Sequence, residues 1–360
     1  MYIRPFPPVF PHAALIPAPD AFFAVVKEDY REYRRRGMFC EPAGEALLVY
    51  RLRENGRSYT GVIAALPAEQ YEDGTIRQHE GTLAASEQQQ LQLLMLREAV
   101  VKPVLLTYPA REGIRRLLSE AVSTAQRVLF VKDEPAISHE VFALPAGSDL
   151  ERELRAAFAN VPTAYIADGH HRCATVARYN RERRARGQAD VPLLAALFSG
   201  EEVRVNPYHR VVQLPTTLSP LALVARLSDL CTVEPLPEAT APRRAGELTM
   251  ILRDEAFRLR WRTPNTTAQL DAGRFNDEVA TPIFGVRDIR TDQRVTYVPG
   301  AEGLAGVLAH VQHRADLVGF LLHGIDAEDM FGIVDAGGIM PPKSTWFEPR
   351  LRNGLTVLEL

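Results

Sequence analysis

Residues 163–172 read Thr163-Ala164-Tyr165-Ile166-Ala167-Asp168-Gly169-His170-His171-Arg172, and the reading of this stretch decides the fold class. The run up to Ala167 fits a short strand, and Gly169 provides a turn where a side chain would clash. Cys173 to Arg186 then carries Ala and Arg at helical spacing until Gly187 stops it. Strand, glycine turn and helix together present unsatisfied backbone N–H groups, the local grammar of an anion site in an α/β fold.

Working outward, the same alternation recurs on both sides. Val104 to Tyr108 reads as a strand, Gly113 to Thr124 as a helix, Arg127 to Asp133 as a strand and Ser148 to Asn160 as a helix. Farther upstream, two apolar runs flank Asn55-Gly56, the strongest short hairpin signal, and Leu83 to Val100 has helical apolar spacing. Asp20 to Arg36 reads as a helix that Gly37 stops. Downstream come strands in LLAALFSG and VRVNPYHRVVQLP, and then the composition changes at PTTLSPLA. A domain boundary is expected there. Residues 1–215 would form an α/β domain carrying the HEGT and DGHHR motifs, and residues 216–360 an α+β domain whose PPKSTWF tail returns to the site. The expected class is α/β to α+β, with mixed sheets.

Composition narrows the function. A chain of 360 residues, 46% hydrophobic and 24% charged, suits about two globular domains and excludes disorder, collagen and coiled coil. A formal net charge of −3 gives no broad positive field for nucleic acid. Cys40, Cys173 and Cys231 lie far apart with no CxxC pair, so neither a disulfide framework nor a zinc knuckle fits. The Pro-rich opening lacks the apolar core of a signal peptide, and no stretch approaches the roughly 20 apolar residues of a membrane span. A cytoplasmic protein with no membrane or nucleic-acid partner is expected, its oligomeric state left open. Only Lys27, Lys102, Lys132 and Lys343 among 42 basic residues are lysines, which reads as composition bias.

Four clusters offer chemistry. In Asp168-Gly169-His170-His171-Arg172, the helix N-terminus and the planar Arg172 fork favour an anion, phosphate above all. The plainer alternative is that Asp168 caps the helix. In Arg77-Gln78-His79-Glu80-Gly81-Thr82, Glu80 beside His79 suits a general base near a hydroxyl, the alternative being a solvated loop with Thr82 as N-cap. Asn206-Pro207-Tyr208-His209-Arg210 stands at a strand boundary. In Pro341-Pro342-Lys343-Ser344-Thr345-Trp346-Phe347 the prolines fix an extended approach to Lys343, a point charge for phosphate with Ser344 and Thr345 as hydroxyl partners. His310, His313, His323 and Asp326 invite a metal reading but lack a matching carboxylate. Walker-A, GxGxxG, GxSxG and HExxH are absent.

The motifs IRQHEGT (76–82), YIADGHHR (165–172) and PPKSTWF (341–347), in this order, resemble a prokaryotic family known as domain of unknown function 1015. The segment VRDIRTDQRVTYVPG (286–300) is similar to that family's late D-x-R-T-D stretch. Cys173 and Ala174 depart from it, where a Tyr and a Glu are typical. The GHHR turn also resembles that of the ParB/sulfiredoxin-like superfamily, which includes partition proteins and kinases of free serine.

The resemblance implies a phosphotransferase between ATP or ADP, with Mg²⁺, and a small hydroxyl metabolite, serine or phosphoserine favoured. Glu80, His79 and Asp168 would be catalytic, and Asp168 a Mg²⁺ ligand. Gly169, His170, His171, Arg172, His209, Arg210, Lys343, Ser344 and Thr345 would bind the nucleotide and its phosphates. Two alternatives stand beside it: a ParB-like nucleotide-binding regulatory module, and a metal-assisted hydrolase using His170, His171 and Asp168.

Overall fold

The computed structural model describes residues 1–134, 136–265, 270–341 and 343–360. Two compact units are present: Met1–Val203 with Pro349–Leu360, and Arg204–Glu348.

The first unit is built on an eight-stranded mixed sheet. Its strands are β1 (Ala46–Glu54), β2 (Arg57–Leu66), β3 (Ile76–Arg77), β5 (Val104–Tyr108), β6 (Gln126–Glu134), β7 (Ile137–Pro145), β8 (Ala164–Asp168) and β9 (Leu193–Ser199), with β4 (Ala99–Val100) standing outside it. The order is β3-β8-β5-β9-β2-β1-β7-β6. The β1–β2 hairpin turns at Asn55-Gly56, both left-handed (φ 50° and 79°), and closes on Glu54↔Arg57, as the turn chemistry predicts. Two parallel pairs interrupt the antiparallel ladders: β5 with β9, and β3 with β8. The central strands β5 and β9 are buried almost throughout, as strands covered on both faces must be.

Among the described residues, the α-helices of this unit are α1 (Pro19–Val25), α2 (Tyr30–Arg35), α3 (Glu69–Glu72), α4 (Ala84–Arg97), α5 (Glu112–Thr124), α6 (Asp149–Ala159) and α7 (His170–Ala185). The single helix expected over 20–36 is two, because Asp29 leaves helical geometry at φ −135°. In α5, Ile114, Leu117, Leu118 and Ala121 form the buried stripe expected of a helix on a sheet. On α7 the buried positions are His170, Cys173, Thr175, Val176, Ala177 and Asn180.

Asn180, fully buried, donates from Nδ2 to the Val191 carbonyl (2.8 Å) and accepts the Val191 N–H at Oδ1 (2.9 Å). It thereby satisfies both polar groups of the backbone leading into β9. Asn180→Ala should cost about 2–4 kcal/mol, because each buried group left unpaired costs about 1–3 kcal/mol. Urea unfolding measures this, and a loss below about 0.5 kcal/mol would show that Val191 finds other partners.

The Pro-rich opening bridges to the sheet at Arg4↔Ala65 and Phe6↔Ala46. The last residues are held too, since β18 (Leu358–Glu359) pairs with β4.

The second unit carries a six-stranded, wholly antiparallel sheet. Its strands include β11 (Tyr208–Gln213), which pairs with Val295–Pro299 and Leu317–Leu322. That pairing moves the division of the chain to Val203/Arg204, ahead of the composition change at 215–216. β10 (Arg204–Asn206) pairs antiparallel with Trp346–Glu348, so the first and last residues of this unit form one short ladder. Among the described residues, no helix is long and apolar enough to cross a membrane.

Candidate functional site

Parallel pairing of β3 with β8, at Ile76↔Ala164 and Arg77↔Tyr165, makes the loops after both strands leave the sheet at the same edge. The HEGT loop (79–82) and the DGHHR turn (168–172), far apart in sequence, therefore meet. The His79 and His170 rings lie edge-on with centroids 4.4 Å apart, and His79 Nε2 is 4.0 Å from Glu80 Oε1. One ligand-type atom from each of His79, Glu80 and His170 falls within 4.8 Å of the others.

Gly169 N-caps α7 at φ +110°, a conformation side chains avoid. A Cβ there would also meet the Arg172 guanidinium at 2.8 Å and Val104 Cγ1 at 2.9 Å. Both facts account for glycine at the turn. Asp168 does not cap the helix, nor does Thr82 cap α4; Thr82 Oγ1 instead donates to Glu87 Oε1 at 2.5 Å.

Asp168 meets cations on three sides: Lys102 Nζ at 3.1 Å, Arg172 Nη2 at 2.8 Å and Arg350 Nη1 at 4.0 Å. Burial pushes its carboxyl up, but these three cations outweigh burial and hold it well below the usual carboxylate range. Asp168, expected as a Mg²⁺ ligand, is thus the anion at the centre of a cluster of three cations. Arg172 is likewise occupied, its Nη1 donating to the carbonyls of Lys102 and Pro103 and its Nη2 to Asp168. Its fork, expected on phosphate, holds the turn through these contacts. Lys102 has its ammonium pushed down by burial and up by Asp168, with a net lowering.

Burial pushes His170 down to about 4, against the pull of Asp168, and pushes His79 well below its ordinary value with His170 adding to the effect. Both rings are neutral at pH 7. His170 Nε2 and His171 Nδ1 are buried with no hydrogen-bond partner. Cys173 is buried inside α7, and burial pushes its thiol up to about 12.

His209, Arg210, Lys343, Ser344 and Thr345 belong to the second unit. Arg210 is fully buried, donates to the Tyr208 carbonyl and lies near the Phe275 and Tyr297 rings (6.0 and 5.5 Å). Burial pushes it down to about 10. Its surroundings are aromatic, so it acts first as a cation inside that core. Lys343 is exposed, left-handed at φ 56°, with Nζ 5.1 Å from the Tyr208 ring. Ser344 Oγ donates to the Pro341 carbonyl at 2.6 Å, Thr345 is buried, and Pro342 lies outside the described residues. Among the described residues no metal-type cluster forms around His310, His313, His323 and Asp326.

His209 is buried and accepts the Leu322 N–H at Nδ1 (3.2 Å), and burial pushes it down to about 4. The unfolded chain takes a proton there near pH 6.5, before the folded one. Stability from this group is therefore complete above pH 6.5 and lost as pH falls towards 4, by about 3 kcal/mol. His209→Asn keeps an acceptor and should flatten that part of the stability curve in denaturant titrations run across pH 4–7.

A family model described as a protein of unknown function (DUF1015) matches residues 10–277. The chain belongs to this family. No curated protein matches the DUF1015 chain in sequence. Solved structures similar to it include a C-terminally truncated SbnI from Staphylococcus aureus, at TM-score 0.42 and 12% identity, covering 81% of this chain and 85% of that one. A free serine kinase mutant in complex with ADP gives TM-score 0.42 and 13% identity, with coverages of 82% and 92%. A conserved hypothetical protein from Pyrococcus furiosus gives 0.39 and 13%, with 81% and 93%.

Lys102 and Arg350 are the neighbours of Asp168 that no sequence motif of this DUF1015 chain indicates. Neither stands in a motif that the sequence singles out.

Proposed function

We propose that this DUF1015 protein is a nucleotide-dependent phosphotransferase acting on a small hydroxyl metabolite, with free serine or phosphoserine favoured by the motif resemblance. One observation carries the reading: the partly exposed Glu80 carboxylate stands beside His79 and His170 at the N-terminus of α7. Backbone N–H groups in the first turn of a long helix suit the phosphates of ATP or ADP. Gly169 lets them be approached, while Arg172 and Lys102 lock the turn through Asp168. Glu80 would take the proton of the acceptor hydroxyl as it attacks the terminal phosphorus, and the bond from that phosphorus to the bridging oxygen breaks as the new one forms. Mg²⁺ would travel on the phosphate oxygens of the nucleotide. The three free cysteines suit a reducing cytoplasm.

Thermal melts with ATP, ADP, CTP, serine and phosphoserine, each with and without Mg²⁺, test binding. A ligand at 100 times its Kd adds about 2.7 kcal/mol. Phosphorus NMR of the nucleotide–serine pairs that shift the melt then tests transfer. Stabilisation by a nucleotide with no phosphoserine formed or consumed would replace this reading with the regulatory module.

A further inference from the structure

We propose that His79, Glu80 and His170 form a three-ligand site for a divalent transition-metal ion, with zinc the best match to two imidazoles and one carboxylate. The inference does not rest on phosphate transfer: a Glu80 carboxylate that binds the ion is not free to take the proton of a hydroxyl, so the two uses of Glu80 exclude one another at any one moment.

The donor set is the first reason. Two imidazoles and a carboxylate, with one position left open, is a recurrent arrangement of catalytic zinc. A hard ion such as Mg²⁺ prefers oxygen donors throughout. The hydrolase alternative drawn from sequence combined His170 with His171 and Asp168. The fold groups His170 with His79 and Glu80 instead, while Asp168 is held by its own three cations.

Geometry is the second. The three ligand atoms lie within 4.8 Å of one another, and tetrahedral zinc with bonds of about 2.0–2.1 Å needs them about 3.4 Å apart. Binding would draw the three side chains together by up to about 1.4 Å. His79 and His170 each follow, by two residues, the end of one of the paired strands β3 and β8, so the loop and the helix start that carry them spring from one ladder.

The surroundings are the third. His170 is 8% exposed and its Nε2 has no hydrogen-bond partner, an arrangement that costs about 1–3 kcal/mol unless something occupies the lone pair or proton. The His79 ring hydrogen-bonds the Ile166 backbone in β8, the kind of outer partner that fixes the orientation of a metal-binding imidazole. Glu80 has a third of its side chain exposed, so the open position would face solvent and could take a water or a hydroxyl.

Full-length protein without a histidine tag, stripped with chelator, should take up one Zn²⁺ per chain by elemental analysis after dialysis. Co²⁺ in its place should give the intense visible absorption of a tetrahedral site, and Zn²⁺ should displace it. His170→Ala should weaken binding about 100-fold or more, and Glu80→Gln about 10–100-fold, with circular dichroism verifying that both variants are folded. His171→Asn should bind as the parent does. No stoichiometric uptake by the folded parent, or uptake unchanged in both His170→Ala and Glu80→Gln, would overturn the proposal. All measurements omit nucleotide and serine, so their failure leaves the phosphotransferase assay to be judged separately.

Discussion

Glu80→Gln should reduce phosphoryl transfer by about 10²–10⁴-fold, the range over which a positioned general base acts. The amide keeps the size and shape of the carboxylate but cannot accept the proton of the attacking hydroxyl at neutral pH. Glu80 is partly exposed and sits in a loop, so the substitution leaves the core of the first unit untouched. Nucleotide affinity should stay within a few-fold, because the phosphates are assigned to the first turn of α7. Single-turnover transfer measured beside calorimetric nucleotide binding separates the two. Turnover within tenfold of the parent would remove Glu80 from the chemistry.

Arg352→Met should destabilise the first unit by about 3–5 kcal/mol, the usual result of stripping a buried charge of its partner. The Asp133 side chain is completely buried and is met by Arg352 Nε and, at 3.4 Å, by His139 Nε2. His139 Nδ1 in turn lies 2.7 Å from the Tyr50 hydroxyl, so the carboxylate terminates a buried chain of polar groups. Burial pushes His139 down to about 4 despite Asp133, which leaves Arg352 as the cation opposing that carboxylate. Methionine fills most of the volume of the arginine stem, so the loss reports charge more than packing. At about 2–4 °C per kcal/mol, the melting temperature should fall by about 6–20 °C. A fall under 2 °C would mean that Asp133 is neutralised by some other route.

What could be read in the sequence and what could not divide along the range of the interactions. The hairpin at Asn55-Gly56 and the turn at Gly169 were legible because the constraint lies within a few residues. β3 was not, since a two-residue strand has no periodicity and its place is set by Ile76↔Ala164 pairing. β7 escaped because His139 and Glu140 interrupt its apolar pattern, and each is buried against partners from elsewhere: Tyr50 and Asp133 for one, Arg51 and Arg127 for the other. The same rule governs the site. Glu80, His79 and His170 could be named from local motifs, whereas the diversion of Asp168 and Arg172 into an internal cluster depends on Lys102, some 66 residues upstream of Asp168.

The ladder between β10 and Trp346–Glu348 closes the second unit and hands the chain back, so that residues 349–360 complete the first. On the ribosome this sets an order of events. Residues 1–203 emerge early, yet the strand partner of β4 and the arginine that neutralises Asp133 come last. At about 5–20 residues per second, translation of the intervening stretch takes roughly 7–30 s. Throughout that interval Asp133 has no Arg352 to pair with and β4 no strand partner. The inserted unit has all its own strands in hand and is free to fold first. Synthesis of residues 349–360, rather than of the N-terminal half, is then the step that supplies the last contacts of the first unit.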